Sequence, residues 1–179
     1  MKEVQIHDLV FEPFITVEEI KEIVDGISKK IDRDYEHLNP VLIIVLNGAF
    51  IFAADLVRQL TIHLRLDFIK ISSYTGTQST GKIDEHFIWK TSLENQHVLI
   101  VEDIVDSGHT LAYLKEKLLH ENPASIETIC LLKKPECYQY SDVIKYEGKS
   151  IPNYFVVGYG LDYNGLGRDL DCIYRKKED

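Results

Sequence analysis

The stretch VLIVEDIVDSGHTL, residues 98–111, decides the fold and raises the main chemical question. Four apolar residues lead into two adjacent acids, Glu102 and Asp103, and a small polar run, DSGHT, follows at residues 106–110. A continuous apolar run of branched residues is typical of a strand covered on both faces, as in a parallel sheet. Ligands bind beyond the carboxyl ends of such strands. We therefore expect a central strand over HVLIVED, residues 97–103, that ends in the two acids at the binding edge of the sheet.

The polar run after the acids has the features of a phosphate-binding loop. Gly108 permits unusual backbone dihedral angles and a close approach of the backbone, and Ser107 and Thr110 add hydroxyl donors. A helix is predicted at residues 110–120, and the N–H groups at its start favour an anion. Because carboxylates suit hydroxyl groups or Mg²⁺, the combination predicts a ribose 5-phosphate ligand. The alternative is that these residues only cap and turn the chain.

The rest of the chain alternates between predicted strands and helices. Residues 16–38 combine the start of a capping box, Thr16 and Glu19, with apolar residues at helical spacing. A second helix is predicted at residues 49–60, and strands are predicted at residues 41–46, 64–72, 87–90, 126–134 and 153–159. This alternation is typical of an α/β fold with a parallel sheet. Residues 73–86, rich in serine, threonine and glycine, predict a long loop of the kind that often closes over a site.

Composition limits the class of protein. The chain has 179 residues, of which 45% are hydrophobic and 27% are charged, and its net charge is −9. These values are those of one soluble globular domain, and the acidic balance argues against sequence-independent binding to nucleic acid. The N-terminus does not form a signal peptide, and no run approaches the ~18 apolar residues of a membrane span. Three cysteines without metal-binding spacing favour reduced thiols and a cytoplasmic location.

Five segments together resemble the motifs of the hypoxanthine-guanine branch of the type I phosphoribosyltransferases. They are residues 98–111, LNGA (46–49), SYTGTQSTG (73–81), LLKKP (131–135) and FVVGYGLDYNGLGRDL (155–170). The resemblance runs from about residue 10 to about residue 175. It implies one domain, residues 1–179, with a central parallel sheet flanked by helices. The core would span about residues 38–150, and a small hood would be built from about residues 1–15 and 151–179.

The implied reaction joins hypoxanthine or guanine to phosphoribosyl pyrophosphate (PRPP) and releases pyrophosphate. Glu102 and Asp103 would face the ribose hydroxyls, which with pyrophosphate would hold Mg²⁺. The 5-phosphate would bind the loop made of Asp106, Ser107, Gly108, His109 and Thr110, in which His109 takes the variable position and faces solvent. Asp106 would also be the general acid/base near purine N7, since a carboxylate in reach can take the proton that the base loses.

The purine would bind residues from the two later motifs. Lys134 would donate to the 6-oxo group, because an ammonium favours a carbonyl over the 6-amino group of adenine. Phe155 and Leu161 would lie on opposite faces of the base, and Val156 would read it through backbone groups. Asp162 would accept from a guanine 2-amino group through its carbonyl and would hold a second Mg²⁺ through its carboxylate.

Pyrophosphate would bind the backbone of Leu46, Asn47 and Gly48, often with a cis peptide between the first two, and the guanidinium of Arg168. The sequence has Asn47 where many relatives carry lysine, which a backbone-mediated site accepts.

The loop over the reacting centre would carry Ser73 and Tyr74 and would exclude water when it closes. The register at the purine lysine is ambiguous in the sequence, because the adjacent Lys133 points to the other face of a strand. The spacing to Pro135 in the family selects Lys134.

Homo-oligomers, dimers or tetramers, are usual in this family, and the resemblance implies no nucleic-acid or membrane partner. Three alternatives stay open. The first is a xanthine-preferring phosphoribosyltransferase. The second is a regulatory RNA-binding protein on the same fold, against which the acidic charge counts. The third is a catalytically inactive homologue, against which the presence of Asp106, Lys134 and Arg168 together counts.

Overall fold

Strands and helices alternate through the middle of the chain, as the sequence predicts. A computed structural model describes residues 2–72, 84–88 and 92–178. Its elements in chain order are β1 (Val4–Ile6), β2 (Leu9–Ile15), α1 (Val17–Asp34), β3 (Val41–Leu46), α2 (Phe50–Gln59), β4 (Arg65–Ser72), β5 (Asp84–Ile88), β6 (His97–Val105), α3 (His109–Leu119), β7 (Ser125–Lys133), β8 (Tyr146–Ser150), β9 (Val156–Val157) and β10 (Ile173–Lys176). None of the helices in these ranges is long and apolar enough to cross a membrane.

Six strands form the main sheet in the order β5-β4-β3-β6-β7-β8. Neighbours from β4 to β8 are parallel, and β5 pairs antiparallel with β4 at one edge. The predicted parallel sheet is thus confirmed for five strands. After β3 the chain adds strands on one side, and after β6 it adds them on the other. The strand order therefore reverses between β3 and β6, which is where sheets of this kind bind ligands.

The two central strands separate towards their carboxyl ends. The pairing of β3 with β6 runs from Val41 and Val98 only to Ile44 and Val101, whereas β6 stays paired with β7 through Val105. The strand therefore continues two residues beyond its predicted end at Asp103. The strand continues through the two acids because ladder hydrogen bonds use backbone groups and do not require apolar side chains. We call the space between the carboxyl ends of β3 and β6, with the loops that follow them, the crevice.

Alternate side chains of β3 enter two apolar layers on opposite faces of the sheet. Leu42 and Ile44 pack with α1 and α2, and Val41, Ile43 and Val45 pack with α3. All five are buried, and each such side chain contributes about 1.5–3 kcal/mol of transfer free energy. Helices therefore flank the sheet on both faces, as predicted.

The first helix begins as predicted and ends earlier. Thr16 caps it in a capping box, in which Glu19 N–H donates to Thr16 Oγ1 (3.1 Å) and Thr16 N–H donates to Glu19 Oε2 (2.9 Å). The helix ends at Asp34, four residues before the predicted end, and residues 36–38 form a turn and an exposed connection.

A second, antiparallel sheet joins the two ends of the chain in the order β1-β2-β10-β9. It forms the hood that the resemblance implies from the N- and C-terminal segments. The predicted strand at residues 153–159 is wrong in length, because only Val156–Val157 is a strand. Gly158, Tyr159 and Gly160 have φ values of 101°, 50° and 103°, which an extended strand does not allow.

Candidate active site

Glu102 and Asp103 lie on β6 just beyond its last pair with β3. Burial, and next the charge of Asp103, raise the pKa of Glu102 well above its usual value. Burial also raises the pKa of Asp103 to about 6, against the opposing effects of nearby backbone N–H groups and the Arg168 guanidinium. One of those groups is Ile104 N–H, which donates to Asp103 Oδ1 at 2.7 Å. Carboxylates whose ionised form is disfavoured by burial make a site that a cation would stabilise.

The loop after β3 comes into direct contact with Asp103. A Cβ built on Gly48 would lie 1.6 Å from Asp103 Oδ2, so only glycine fits against this carboxylate. A Cβ built on Gly160 would lie 2.1 Å from the carbonyl oxygen of Gly48. The backbone at Gly160 therefore packs closely against the loop after β3. The peptide bond between Leu46 and Asn47 is cis. The structure thus brings the predicted pyrophosphate loop against the predicted metal-binding acids.

Asp162 and Arg168, which were both predicted to bind ligands, are bound to each other. Arg168 Nη2 lies 2.6 Å from Asp162 Oδ1, and Arg168 Nη1 donates to the carbonyl of Gly160 at 2.6 Å. Asp162 Oδ2 accepts from Gly165 N–H at 2.7 Å. The charges of both partners act on the pKa of Asp103, so the pair lies near that carboxylate. A ligand that uses either side chain has to compete with this ion pair.

The residues predicted to bind the 5-phosphate, 106–110, run from the end of β6 into the start of α3, and we call them the anion loop. Gly108, with φ of 85°, precedes α3, which begins at His109. A small cavity of about 100 Å³ is lined by Glu102, residues 104–110 and Leu111. Ser107 and Thr110 are among these residues, so the two predicted hydroxyl donors border the cavity at the start of the helix.

An aromatic segment, residues 138–140, packs over this loop. Its middle residue donates its backbone N–H to the carbonyl of Ser107 at 3.1 Å. A Cβ built on Gly108 would lie 2.5 Å from the ring of Tyr138 and 2.9 Å from the ring of Tyr140. Tyr140 Oη lies 2.9 Å from His109 Nδ1. His109 is exposed, as predicted, but its ring is held by this tyrosine.

Lys134 lies directly after β7 and is 7% exposed. Its Nζ donates to Asp106 Oδ2 at 2.7 Å and to Asn153 Oδ1 at 3.2 Å. Lys133 faces elsewhere, since its Nζ is 3.4 Å from Glu147 Oε2. The structure therefore brings Lys134, and not Lys133, to Asp106, whose own side chain is 50% exposed.

The remaining predicted purine residues follow Asn153 in the chain. Phe155 is 42% exposed, and its ring lies 5.5 Å from that of Tyr163 in an edge-on arrangement. Val156 and Leu161 are buried, and Leu161 belongs to the main apolar core. Phe155 thus offers an open ring, while the other two side chains are packed inside the protein.

Some predicted features lie outside the described residues, and some observed ones were not predicted. Ser73 and Tyr74 are outside the described residues. In the described parts of the chain, no group of three or more His, Cys, Asp or Glu side chains is arranged to hold a metal by itself. The sequence did not predict the roles of Asn153 and Tyr140, because neither lies in a motif. Asn153 is 19 residues from its partner Lys134, and Tyr140 is 31 residues from its partner His109.

Comparisons with known proteins agree with this geometry. Residues 16–164 match the phosphoribosyl transferase domain family. The hypoxanthine-guanine phosphoribosyltransferase of Dictyostelium discoideum is 42% identical over 173 residues, which cover 94% of this chain and 96% of that protein. The enzyme of the same name from Staphylococcus aureus strain Mu50 is 38% identical over 169 residues, covering 94% of each chain.

Solved structures are similar to the same extent. A hypoxanthine-guanine phosphoribosyltransferase from Bacillus anthracis, with a HEPES molecule in its active site, has a TM-score of 0.85 at 37% identity and covers 92% of this chain and 97% of its own. The hypoxanthine phosphoribosyltransferase of Trypanosoma cruzi has a TM-score of 0.85 at 38% identity and covers 97% and 95%. That structure concerns the role of the C-terminal region in oligomeric state and enzymatic activity.

Proposed function

The chain belongs to the phosphoribosyltransferase family, in its hypoxanthine-guanine branch, and from this premise we propose that it transfers the phosphoribosyl group of PRPP to N9 of hypoxanthine or guanine. The products are IMP or GMP and pyrophosphate. The observation that carries the proposal is the Lys134–Asp106 ion pair beside the anion loop. It places a cationic donor and a carboxylate within 2.7 Å of each other, next to a cavity at a helix N-terminus.

Asp106 is the proposed general acid/base. Lys134 donates to its Oδ2, and half of the Asp106 side chain remains exposed. A base that binds through its 6-oxo group to Lys134 brings N7 towards this carboxylate, since both groups lie on the same edge of the purine. Asp106 then accepts the proton as N9 bonds to the ribosyl carbon, a contribution of about 10²–10⁴-fold.

The anion loop holds the 5-phosphate in this proposal, through the backbone of residues 106–110 and the hydroxyls of Ser107 and Thr110. The helix N-terminus favours the phosphate charge, because the first N–H groups of a helix have no partners within it. Pyrophosphate is held by the backbone after β3 and by Arg168. To bind it, the Arg168 guanidinium has to break its ion pair with Asp162. Phe155 offers the exposed ring on which the base stacks.

Mg²⁺ fits the residues present. Glu102 and Asp103 provide oxygen donors only, and burial disfavours their charge in the absence of a cation. They would hold the ion together with oxygens of PRPP, and Asp162 would hold a second ion. When bound, Mg²⁺ neutralises charge on the leaving pyrophosphate.

The wider organisation follows the relatives. We propose a single domain, residues 1–179, with a core of about residues 38–150 and a hood of about residues 1–15 and 151–179. We also propose that the protein is a cytoplasmic homo-oligomer. The Trypanosoma cruzi relative supports the second part, because its structure addresses the role of the C-terminal region in oligomeric state. Ser73 and Tyr74 are the proposed lid residues.

A turnover assay with PRPP and Mg²⁺ tests the proposal, with hypoxanthine, guanine, xanthine and adenine offered separately. We expect turnover of the first two and little of adenine. Strong preference for xanthine would support the alternative base specificity. Absence of turnover with every base, in protein shown to be folded, would contradict the proposed reaction, and binding of RNA in a salt series would then support the regulatory alternative.

A further inference from the structure

We propose that Asn153 is a positioning residue, which orients the Lys134 ammonium so that one of its N–H groups is directed to the carbonyl of the base. Asn153 then contributes to the preference for 6-oxopurines over 6-aminopurines without touching the reacting atoms. The inference rests on the proposed function, because Asn153 acts through the lysine that selects the base.

The first step is the count of donors on Lys134. An ammonium has three N–H donors and no acceptor. Asp106 Oδ2 takes one at 2.7 Å, and Asn153 Oδ1 takes a second at 3.2 Å. Within the described ranges, Nζ has no third acceptor in the protein. A buried donor without a partner is unfavourable. Since Lys134 is only 7% exposed, the third N–H is the one that a ligand carbonyl would satisfy.

The second step is the direction of that third donor. Asp106 lies on the loop after β6, and Asn153 lies beyond β8 on the segment that leads to Phe155. Two acceptors on different segments fix the tetrahedral ammonium in place, whereas one acceptor leaves it free to rotate about that contact. Asn153 therefore links the lysine to the segment that carries the proposed stacking ring.

The third step is the chemistry of the amide. The amide oxygen of Asn153 accepts from the ammonium and so orients it, and a carboxylate at the same position would keep this acceptor. Adenine presents a 6-amino group, which is a donor and cannot accept from the third N–H. An oriented ammonium thus donates a hydrogen bond to a 6-oxo group, whereas a 6-amino group would place a second donor against the cation.

Steady-state kinetics of Asn153→Ala and Asn153→Asp test the proposal, with the base and PRPP varied in turn. Loss of one hydrogen bond at a charged group predicts a rise of about 5–20-fold in the KM for hypoxanthine in Asn153→Ala. The KM for PRPP and the melting temperature should stay near the wild-type values, because Asn153 is exposed and its side-chain oxygen accepts from Lys134, not from the backbone or hydroxyl groups proposed to hold the phosphate. The preference for hypoxanthine over adenine should fall. Asn153→Asp, which keeps the acceptor, should restore the KM for hypoxanthine to within about threefold.

Asn39→Ala is the matched control. Like Asn153, Asn39 is exposed and lies next to a proline, but it is far from Asn153 in the sequence. Its kinetic constants should equal those of the wild type. Asn153→Ser, whose side chain is too short to reach Nζ, repeats the test if the alanine variant does not fold. An unchanged KM for the base in Asn153→Ala, an equal rise in the KM for PRPP, or no recovery in Asn153→Asp would each overturn the inference. A wild-type protein that turns over no 6-oxopurine would instead contradict the proposed function itself.

Discussion

Replacing Gly48 by alanine should disable the site while leaving the fold in place. The added Cβ would lie 1.6 Å from Asp103 Oδ2 and 2.6 Å from its Cγ. Real Cβ contacts are essentially never shorter than 3.0 Å, so the two groups have to separate by about 1.4 Å. Rotation of the carboxylate would disturb the bond from Ile104 N–H to Asp103 Oδ1. Misplacement of a site group by about 1 Å can cost about 10²-fold, or ~2.7 kcal/mol in transition-state free energy.

The assay is kcat/KM for PRPP at saturating hypoxanthine, together with thermal unfolding of the same samples. We expect a loss of about 10²-fold and a modest loss of stability, about 1–3 kcal/mol from overpacking. Gly26→Ala is the control, because a Cβ there meets nothing within 4 Å and Gly26 lies inside α1. That variant should keep its activity and gain about 0.5–1 kcal/mol of stability. A folded Gly48→Ala protein with activity within threefold of the wild type would refute the reasoning.

Three further predictions concern single side chains. Asp106→Asn should lower kcat by about 10²–10⁴-fold and leave the KM for PRPP unchanged, and near-wild-type turnover would remove the acid/base role. Because burial holds the pKa of Asp103 at about 6, above its usual 3.8, the native state binds a proton that the unfolded state loses between these values. This carboxyl therefore costs stability as pH rises from about 4 to 6. Without Mg²⁺, Asp103→Asn should gain about 2–2.5 kcal/mol relative to the wild type between pH 4 and pH 7, since each unit of pKa is worth about 1.4 kcal/mol and part of the effect is already present at pH 4. Equal urea-unfolding differences at both pH values would contradict this. Tyr159→Phe removes the donor that lies 2.7 Å from Asp55 Oδ2 and should cost about 1.5 kcal/mol in urea unfolding, whereas an unchanged midpoint would show that water replaces the hydroxyl.

The parts of the fold that the sequence predicts are those with a local signal. Val41–Leu46 is a strand with the predicted bounds, because a continuous apolar run after a proline has few other uses. The capping box at Thr16 and Glu19 is also where it was predicted. The hood strands β1, β2 and β10 carry no such signal. The β2 strand contains Pro13 and Glu12, and its partner β10 lies some 160 residues away in the chain. Their pairing is a tertiary contact that no short window contains.

The site follows the same rule. Adjacent acids, a glycine in a polar loop and a lysine before a proline are visible as patterns, and the structure brings Asp103, Gly108 and Lys134 to the same end of the sheet. Which lysine faces Asp106 depends on how β7 ends, and this the sequence leaves open without the family spacing. Asn153 could not be found, because a single amide in a loop has no pattern until the fold places it beside Nζ.

The separation of β3 from β6 has a consequence for how such a protein can change over evolutionary time. Below Ile44 and Val101 the two strands are fully paired and buried, and this part carries much of the stability. The residues proposed to bind pyrophosphate and phosphate, 47–48 and 106–110, lie beyond this point and outside the apolar layers. Substitutions on the rim can therefore alter which base or anion is accepted at small cost to folding. The architecture separates the residues that selection for stability must hold constant from those that can explore new substrates.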